Sequence, residues 1–373
     1  MIKVLELIDG GFLGGGQTHI LTICRNLNKN VFNPIVAANP DGVFREMVLE
    51  AGLKFEGIYL PKIYRSKYLK DLHKIVVDNE IDVVHAHGGV AGMYAKFLKK
   101  KHPEVKVIHS VHGIHYINSH NIIRKYVSLF IEQYLVNYAD VYLCASEADI
   151  IKGTENKVID RSKTVKIPYG IDLRRFQYKG KNASNMKDFG LTESDFVLGN
   201  ISRFDEQKNQ QMIIESFPEI LKSIPNAKLL LIGEGDLLEF NKRLANKLNV
   251  SDKIIFGGTR RDLENIYPLI DVFIFPSKWE GLSITIMEAL ASGRCLAVSN
   301  IPQNTEMITN DLDGKVFALE SKAELINTVI KLHNNPEMRM RLSVNAQKRS
   351  ATYDEKVMTE KMEQVYLKLK QTK

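Results

Sequence analysis

The sequence contains few cysteines and no long apolar run, and each absence excludes a class of protein. Its 373 residues include three cysteines, Cys24, Cys144 and Cys295, without the C-x-x-C spacing of zinc or redox sites. We expect these three cysteines to be small buried side chains of a protein in a reducing compartment. No apolar run approaches the roughly 20 residues that span a bilayer. The first ten residues already include acids and a glycine, unlike a signal peptide. A cytoplasmic protein that does not span a membrane is therefore expected.

The sequence also lacks the motifs of several ligand-binding classes. No Gly-x-Gly-x-x-Gly can be placed on its first glycine cluster, which disfavours a nucleotide-dependent dehydrogenase. Neither a zinc-finger spacing nor an aromatic-rich RNA-binding signature is present, so a nucleic-acid partner is not expected. The formal net charge of +7 then favours phosphorylated small molecules or anionic lipid. The single Asp-x-Asp, Asp311-Leu-Asp313, precedes Gly314 and is typical of a turn, so we expect no metal there.

Strand-like apolar runs alternate with helical patterns, and they do so in two sets. The first set covers residues 4–8, 34–38, 83–85, 107–109 and 141–145, and the second covers 197–201, 228–232, 253–256, 271–275 and 295–298. This alternation predicts an α/β protein with two Rossmann-like, doubly wound parallel-sheet domains. We expect an N-terminal domain over 1–175 and a C-terminal domain over 176–353. A helix over 354–373 either continues the second domain or crosses back onto the first.

The stretch from Phe275 to Gly293 is the most informative part of the sequence. The apolar run 271–275 predicts a buried strand, and helix-forming residues dominate from about residue 285. Gly281, Leu282 and Ser283 are then expected at a helix N-terminus. Unpaired amides at a helix start carry partial positive charge and suit a phosphate.

Two carboxylates flank that junction. Glu280 is expected in the loop and Glu288 within the helix, about 12 Å further on if the rise is fully helical. One carboxylate could bind a sugar and the other a ribose. The alternative is that Glu280 caps the helix and Glu288 is an ordinary helix carboxylate.

Two further segments follow predicted strands, where open α/β sheets bind ligands. Gly14, Gly15 and Gly16 follow the first strand and offer amides to a diphosphate, although a mobile loop with no ligand remains the alternative. Arg203 and Lys208 follow the first strand of the second domain, where two cations can converge on phosphate oxygens. We expect cations and helix N-termini, instead of a metal, to meet the charge of a leaving diphosphate.

Taken in order, these elements resemble the retaining glycosyltransferases of the GT-B fold, specifically family 4. The resemblance runs through most of the chain and implies two Rossmann-like domains that face each other across a cleft. The matched elements are Gly14–Gly16, Asp82-Val-Val-His85-Ala-His87, His109-Ser-Val-His112-Gly113, Ile167-Pro-Tyr-Gly-Ile-Asp172 with Phe176, Arg203 with Lys208, Leu231-Ile-Gly-Glu-Gly235, and Glu280-x7-Glu288.

The resemblance implies that Gly15 and Gly16 contact the donor diphosphate through their amides. Arg203 and Lys208 lie on the other side of the same diphosphate. His112 lies beside the reacting sugar, in a position whose backbone and ring are both used in the family.

It further implies that Glu280 accepts hydrogen bonds from the hydroxyls of the donor sugar. Gly281, Leu282 and Ser283 contribute backbone amides to the same donor, and Glu288 binds the ribose hydroxyls.

The nucleotide base is expected near Gly258, Thr259 and Arg260, after the strand that ends at Phe256. A direct role is less expected for His85 and His87, because strand-end histidines are often structural.

Two departures from the family pattern affect contacts to the sugar and acceptor but not the fold. Arg294-Cys-Leu replaces a proline-containing turn, and Gln17 stands where an acidic residue is common.

The expected reaction is transfer of a hexose or N-acetylhexosamine, with retention, from a UDP-linked donor to a glycan or lipid-linked acceptor in surface polysaccharide or glycoconjugate assembly. The nucleotide sugar is a substrate, and neither a cofactor nor a metal is expected. The resemblance favours a front-face path in which the leaving phosphate helps to deprotonate the acceptor. The alternatives are a sugar-nucleotide 2-epimerase of the same fold, a nucleotide-dependent dehydrogenase, and a non-catalytic nucleotide-binding or scaffold protein.

Two basic clusters accompany helical apolar patterns. The first contains Lys96, Lys99, Lys100 and Lys101, and the second contains Arg124 and Lys125 beside Ile122, Ile123, Tyr126, Leu129, Phe130 and Tyr134. A basic amphipathic helix can bind an anionic membrane surface, here the inner face of the cell membrane. A core helix with a solvated face is the equally weighted alternative.

Overall fold

The computed structural model describes residues 1–12, 14–114, 122–177, 180 and 182–371. The chain forms two compact units. The first unit combines Met1–Gly170 with Glu355–Lys373, and the second is Ile171–Asp354. Each is a parallel sheet with helices, as the alternation of strand and helix patterns predicts.

The first unit contains a seven-stranded sheet in the order β3-β2-β1-β4-β5-β6-β7, in which each pair of neighbouring strands is parallel. The strands are β1 (Ile2–Ile8), β2 (Phe32–Ala38), β3 (Lys54–Gly57), β4 (Val83–His87), β5 (Lys106–Val111), β6 (Val141–Cys144) and β7 (Thr164–Lys166). The helices that connect them are α1 (Gly15–Asn26), α2 (Val43–Glu50), α3 (Ser66–Asp78), α4 (Gly88–Lys101), α5 (Ile122–Tyr134) and α6 (Glu147–Glu155).

The central strands of this sheet are buried on both faces, which explains their nearly continuous apolar sequence. Leu5 and Leu7 pack with the helices of one face, and Val4 packs within a cluster on the other. Each fully buried side chain of this size contributes about 1.5–3 kcal/mol. Glu6 is the exception in β1, since it is charged and completely buried.

The second unit contains a six-stranded parallel sheet in the order β10-β9-β8-β11-β12-β13. Its strands are β8 (Phe196–Ile201), β9 (Ala227–Ile232), β10 (Ile254–Phe256), β11 (Val272–Phe275), β12 (Cys295–Ser299) and β13 (Lys315–Phe317). Its helices are α7 (Leu173–Phe176), α8 (Ala183–Asp188), α9 (Gln210–Ser223), α10 (Leu238–Lys247), α11 (Leu263–Ile266), α12 (Ile284–Ala291), α13 (Pro302–Met307), α14 (Lys322–Asn334) and α15 (Pro336–Ser350).

The last helix, α16 (Glu355–Gln371), belongs to the first unit. Its buried face includes Met358, Met362 and Tyr366, which join an apolar cluster with residues of β1 and α1. Glu363 accepts a hydrogen bond of 2.7 Å from the backbone of Asn28. The first unit therefore contains both the first strand and the last helix of the fold.

Among the described residues, no helix combines the length and the apolar character that a bilayer crossing requires.

Candidate functional site

The carboxyl ends of β8, β9, β10 and β11 lie along one edge of the second sheet, because all four strands are parallel neighbours. Backbone hydrogen bonds join the loops that follow them. Phe204 donates to Glu234 over 2.9 Å, and Gly233 donates to Gly258 over 2.8 Å. These loops carry the second-domain residues that the sequence pattern selects as donor ligands. We call this edge the donor rim, formed by residues 202–209, 233–235, 257–262 and 276–283.

A salt bridge connects two loops of the donor rim. Lys208 Nζ lies 2.5 Å from Glu280 Oε1, and only 7% of the Glu280 surface is exposed. Asp205 organises the cationic side of the pair. It accepts hydrogen bonds from the backbone of Lys208 over 2.9 Å and from Arg203 Nε over 2.6 Å. The loop therefore holds two cations, one partly buried and one exposed, beside a buried carboxylate.

Helix α12 begins at Ile284, one residue before the expected start. Ser283 is its N-cap, and the Ser283 hydroxyl accepts a hydrogen bond of 3.3 Å from the amide of Ile286. Gly281 and Leu282 immediately precede the cap. The N-cap of α12 thus lies three residues after Glu280, so partial positive charge from the helix lies near that residue in the chain.

Glu288 lies one turn further along α12 and is paired with a tyrosine. The hydroxyl of Tyr267 donates to Glu288 Oε2 over 2.9 Å. Burial raises the pKa of Glu288 to about 7, although the hydrogen bond from Tyr267 and the charge of Arg175 act in the opposite direction. Glu288 is therefore a carboxyl group that titrates near neutral pH, unlike an ordinary surface carboxylate.

The segment proposed for the nucleotide base follows β10. Gly258 has a φ of +65°, a conformation that favours glycine. Thr259 is exposed. Arg260 donates two hydrogen bonds to Asp262, of 2.8 and 2.7 Å, so its guanidinium already has a carboxylate partner in this structure.

In the first unit, Gly15 and Gly16 form the first turn of α1 and are not part of a preceding loop. Gly14 is the N-cap residue and has no side chain with which to cap the helix. Gln17 is buried, and its side-chain amide donates to the carbonyl of Gly10 over 3.2 Å. An uncapped helix start of this kind offers amides and partial positive charge to an anion.

His112 lies against this helix start. A methyl group built on Gly16 would lie 3.9 Å from His112 Cδ2. Both ring nitrogens of His112 are engaged, Nδ1 with the Tyr169 hydroxyl at 2.5 Å and Nε2 with His87 Nδ1 at 3.0 Å. The structure therefore brings Gly16, His87 and His112 into one cluster.

A buried acid–histidine group lies behind His112. His87 Nε2 is 2.6 Å from Glu6 Oε2, and the Tyr366 hydroxyl donates to Glu6 Oε1 over 2.8 Å. His85 Nδ1 is 2.7 Å from the Tyr366 hydroxyl, and His85 Nε2 is 2.7 Å from the Ser110 hydroxyl.

Ligand atoms of Glu6, His85 and His87 lie within 4.8 Å of one another, close enough for a metal ion. Each of these nitrogen and oxygen atoms already has a hydrogen-bond partner in the protein. The group is therefore satisfied as a polar network without an ion.

Sequence reasoning did not select Glu6, Tyr366 or Tyr267, and it included Tyr169 only as part of the motif from Ile167 to Asp172. The one local signal was Glu6, an acid inside an otherwise apolar strand, since buried carboxylates need partners. The partner in α16 is 360 residues away along the chain.

Arg294, which departs from the family pattern, is buried. It donates to the carbonyls of Ser292 over 2.8 Å and of Ile270 over 3.0 Å. Arg294 thus hydrogen-bonds the turn after α12 to the segment before β11, and its role there is structural.

The first basic cluster, on α4, contains lysines that have partners within the protein. Lys96 is buried and paired with Glu132, and Lys99 is 3.0 Å from Asp140, so neither is a free surface charge. Lys100 lies 4.3 Å from the ring centre of Tyr134.

Helix α5 presents a broad apolar surface to solvent. Its exposed large side chains are Ile122, Tyr126, Val127, Phe130 and Tyr134. We call these five residues the α5 face. Phe130 is 70% exposed, whereas the side chains of Ile123 and Arg124 lie outside the described residues.

Two family models together match most of the chain. The model described as Glycosyltransferase Family 4 matches residues 13–175, and the model described as Glycosyl transferases group 1 matches residues 181–349.

Curated proteins and solved structures show the same similarity. The chain is 27% identical over 271 residues to a UDP-Gal:alpha-D-GlcNAc-diphosphoundecaprenol alpha-1,3-galactosyltransferase of Escherichia coli, covering 71% of this chain and 70% of that protein. It is 25% identical over 389 residues to an alpha-monoglucosyldiacylglycerol synthase of Acholeplasma laidlawii, covering 98% and 92% respectively. Among solved structures, Anabaena HepE in complex with UDP superimposes with a TM-score of 0.86 at 16% identity, covering 98% of this chain and 100% of that one.

Proposed function

Since this chain belongs to the group 1, family 4 glycosyltransferases of the GT-B fold, we propose that it transfers a hexose or N-acetylhexosamine from a UDP-linked donor. The acceptor is a glycan or a lipid-linked molecule, and the transfer retains the anomeric configuration. The Escherichia coli relative is named for a UDP-Gal donor and a diphosphoundecaprenol-linked acceptor, and the Acholeplasma relative for a diacylglycerol product. These names support the classes of donor and acceptor.

The observation that carries the proposal is the salt bridge between Lys208 and Glu280 on the donor rim. A diphosphate needs a cation, and a sugar needs a hydrogen-bond acceptor that is held rigidly. The two groups are 2.5 Å apart. A nucleotide sugar carries its phosphates next to its sugar hydroxyls, so one ligand can engage both groups.

In the proposed reaction, Lys208 and Arg203 bind the diphosphate and stabilise the charge that develops as it leaves. Glu280 accepts hydrogen bonds from sugar hydroxyls, with amides of Gly281 to Ser283 beside it. Glu288 accepts hydrogen bonds from the ribose.

The segment Gly258 to Arg260 contacts the base in this proposal. Arg260 contributes through its backbone or aliphatic portion, since its guanidinium is paired with Asp262.

In the first unit, the amides of Gly15 and Gly16 are proposed to bind phosphate, because the helix they begin is uncapped. His112, which lies against Gly16, is assigned to the reacting sugar. The acceptor oxygen bonds to the anomeric carbon as the bond from that carbon to the diphosphate breaks, and the departing phosphate accepts the proton of the acceptor hydroxyl. Attack and departure on the same face of the sugar give retention without a covalent nucleophile. Charge compensation by side chains and helix starts makes the proposed reaction independent of a metal.

The α5 face supports a second part of the proposal, peripheral contact with the anionic inner face of the cell membrane. Phe130 and Tyr126 expose aromatic rings to solvent. Lys100 of the neighbouring helix α4 lies beside Tyr134 of α5. Apolar side chains with adjacent cations match a lipid surface that carries negative headgroups. A lipid-linked acceptor would be reached there.

The first experiment is a calorimetric screen of UDP, GDP, ADP and their sugar derivatives with EDTA present. The proposal expects selective binding of UDP and its sugars without metal, followed by slow UDP release from one of them. Failure of all the diphosphates to bind would contradict it. Conversion of a nucleotide sugar to its epimer without an acceptor would instead identify the 2-epimerase alternative.

A further inference from the structure

Glu6 is a completely buried carboxylate that lies at the end of a hydrogen-bonded chain leading to His112. The chain runs from Glu6 Oε2 to His87 over 2.6 Å, from His87 to His112 over 3.0 Å, and from His112 to the Tyr169 hydroxyl over 2.5 Å. Each link is a hydrogen bond with one donor and one acceptor. The atom that carries the proton in the first hydrogen bond therefore decides which atoms donate in the following ones.

Glu6 carries a negative charge in this network. Burial opposes its ionisation, but the hydrogen bonds of His85 and His87, and the charges of these rings at the acid pH where Glu6 titrates, hold its pKa well below the usual range. Tyr366 donates to the second carboxylate oxygen. An ionised carboxylate only accepts hydrogen bonds, so the Nε2 atom of His87 must carry the proton between them.

The histidines in the chain are neutral near pH 7. Burial lowers the pKa of His87 to about 4, with the charge of His85 acting in the same direction. Burial likewise holds the pKa of His112 well below its usual value. A neutral His87 with its proton on Nε2 has a lone pair on Nδ1, which accepts the Nε2 proton of His112. The Nδ1 of His112 is then an acceptor.

We propose that Glu6 is a positioning residue that acts through His87 to hold His112 in one tautomer, with the proton on Nε2 and a hydrogen-bond acceptor at Nδ1. In this assignment the Tyr169 hydroxyl donates to that acceptor. A sugar hydroxyl that replaced Tyr169 would meet the same lone pair. In this assignment the His112 ring accepts a hydrogen bond from the substrate and does not donate one. The sugar contact rests on the proposed function, whereas the tautomer does not.

The surroundings of the chain favour a single arrangement. The ring of His19 is buried and packs at 5.7 Å from His112 and 4.7 Å from Tyr169 between ring centres. Tyr366 anchors Glu6 from α16, so the last helix contributes to the position of His112. Packing and hydrogen bonds of this kind restrict the rings to one rotamer and one proton arrangement.

The test is nitrogen NMR of the full chain labelled with [15N]histidine, with the His112 signals assigned by their loss in His112→Gln. The wild-type protein should show a protonated Nε2 and an unprotonated Nδ1 at His112. In Glu6→Gln the amide can donate to His87 as well as accept, so the second tautomer should become populated. Asp82→Asn is the matched control, because Asp82 also links β1 and α16, through Lys3 and Lys370, but is outside the chain. It should leave the His112 signals unchanged.

Turnover provides a second readout. UDP release from UDP-glucose or UDP-galactose, whichever the wild type hydrolyses, should fall by about tenfold or more in Glu6→Gln. The dissociation constant of UDP should remain within about threefold. Tyr366→Phe keeps the contact between Glu6 and His87, so it should retain the wild-type tautomer.

Protonated Nδ1 at His112 in the wild type, or the same tautomer in wild type and Glu6→Gln, would overturn the proposal. Should Glu6→Gln not fold, the wild-type tautomer still decides the assignment. A wild-type protein with the expected tautomer but no turnover of any nucleotide sugar would instead contradict the proposed function.

Discussion

Lys208 and Glu280 form a salt bridge of 2.5 Å that joins the loops after β8 and β11. Each neutralises the other, and Lys208 also lies 5.1 Å from the ring centre of Phe275. In the proposed function an incoming diphosphate competes with Glu280 for the ammonium group. This exchange would release Glu280 to accept hydrogen bonds from the donor sugar.

Glu280→Gln tests that role. The variant should lower turnover by about tenfold or more, because a neutral amide accepts hydrogen bonds less strongly than a carboxylate. UDP affinity should be unchanged or higher, since the lost charge lies near the phosphates. Initial rates and calorimetry measure the two effects. Glu215→Gln is a matched control, because Glu215 pairs with Lys322 elsewhere in the same unit. Wild-type turnover in Glu280→Gln would remove Glu280 from the site.

Replacing both Arg203 and Lys208 by alanine should weaken UDP binding by about tenfold or more, while uridine binds as before. Cations contribute to phosphate recognition through charge-assisted hydrogen bonds, and a nucleoside has no phosphate to lose. Titrations with UDP and uridine at two salt concentrations would measure the difference, which should shrink at higher salt. Lys242→Ala removes another cation of the same unit and should have no effect. Unchanged UDP affinity in the double variant would refute the assignment.

The sequence predicted the parts of the fold that depend on local pattern. Strands β8 and β11 are buried on both faces, so their apolar runs were recognisable. Strands β3, β7 and β13 have only three or four residues and include lysines, so no apolar run identified them. Their place in the sheets comes from pairing with neighbours, which residue spacing does not encode.

The candidate site shows the same division. Glu280 and Glu288 could be selected because a strand-to-helix junction is visible over about twenty residues of sequence. The partners Tyr267 and Tyr366 could not, because they approach Glu288 and Glu6 from distant elements. Gly15 and Gly16 lie in the first turn of α1 and not in the preceding loop. The sequence did not show this, because a helix start can be predicted only to within a residue or two.

The α5 face should bind anionic vesicles. Phe130→Glu should reduce sedimentation with phosphatidylglycerol vesicles by about tenfold, because burial of one aromatic side chain contributes roughly 1.5–3 kcal/mol. Binding to phosphatidylcholine vesicles should be weak in all variants, since no negative headgroups attract the lysines. Val77→Glu is the control, as Val77 is an exposed apolar residue on α3 of the same unit. Equal sedimentation of the Phe130 and Val77 variants would argue against a membrane role for this face.

Glu288 should make ribonucleotide binding depend on pH. Its pKa is raised to about 7 from an ordinary value of 4.5, so the folded protein keeps a proton between these pH values that the unfolded chain has lost. The contribution of this proton to the stability of the folded state is therefore complete below pH 4.5 and is lost as the pH rises through 7.

A carboxylate that accepts hydrogen bonds from ribose must lose this proton. Below pH 7, the binding of UDP should therefore release a proton from Glu288. Wild-type affinity should then fall by up to about tenfold per pH unit below 7, relative to Glu288→Gln. That comparison cancels the titration of the UDP phosphates, which both proteins experience. Arg175 and Glu264 face the same carboxyl group and are unchanged in the variant. Calorimetry in two buffers of different ionisation enthalpy counts the proton directly. Identical pH profiles for wild type and Glu288→Gln, or equal affinity of the wild type for UDP and its 2′-deoxy analogue, would exclude Glu288 as the ribose ligand.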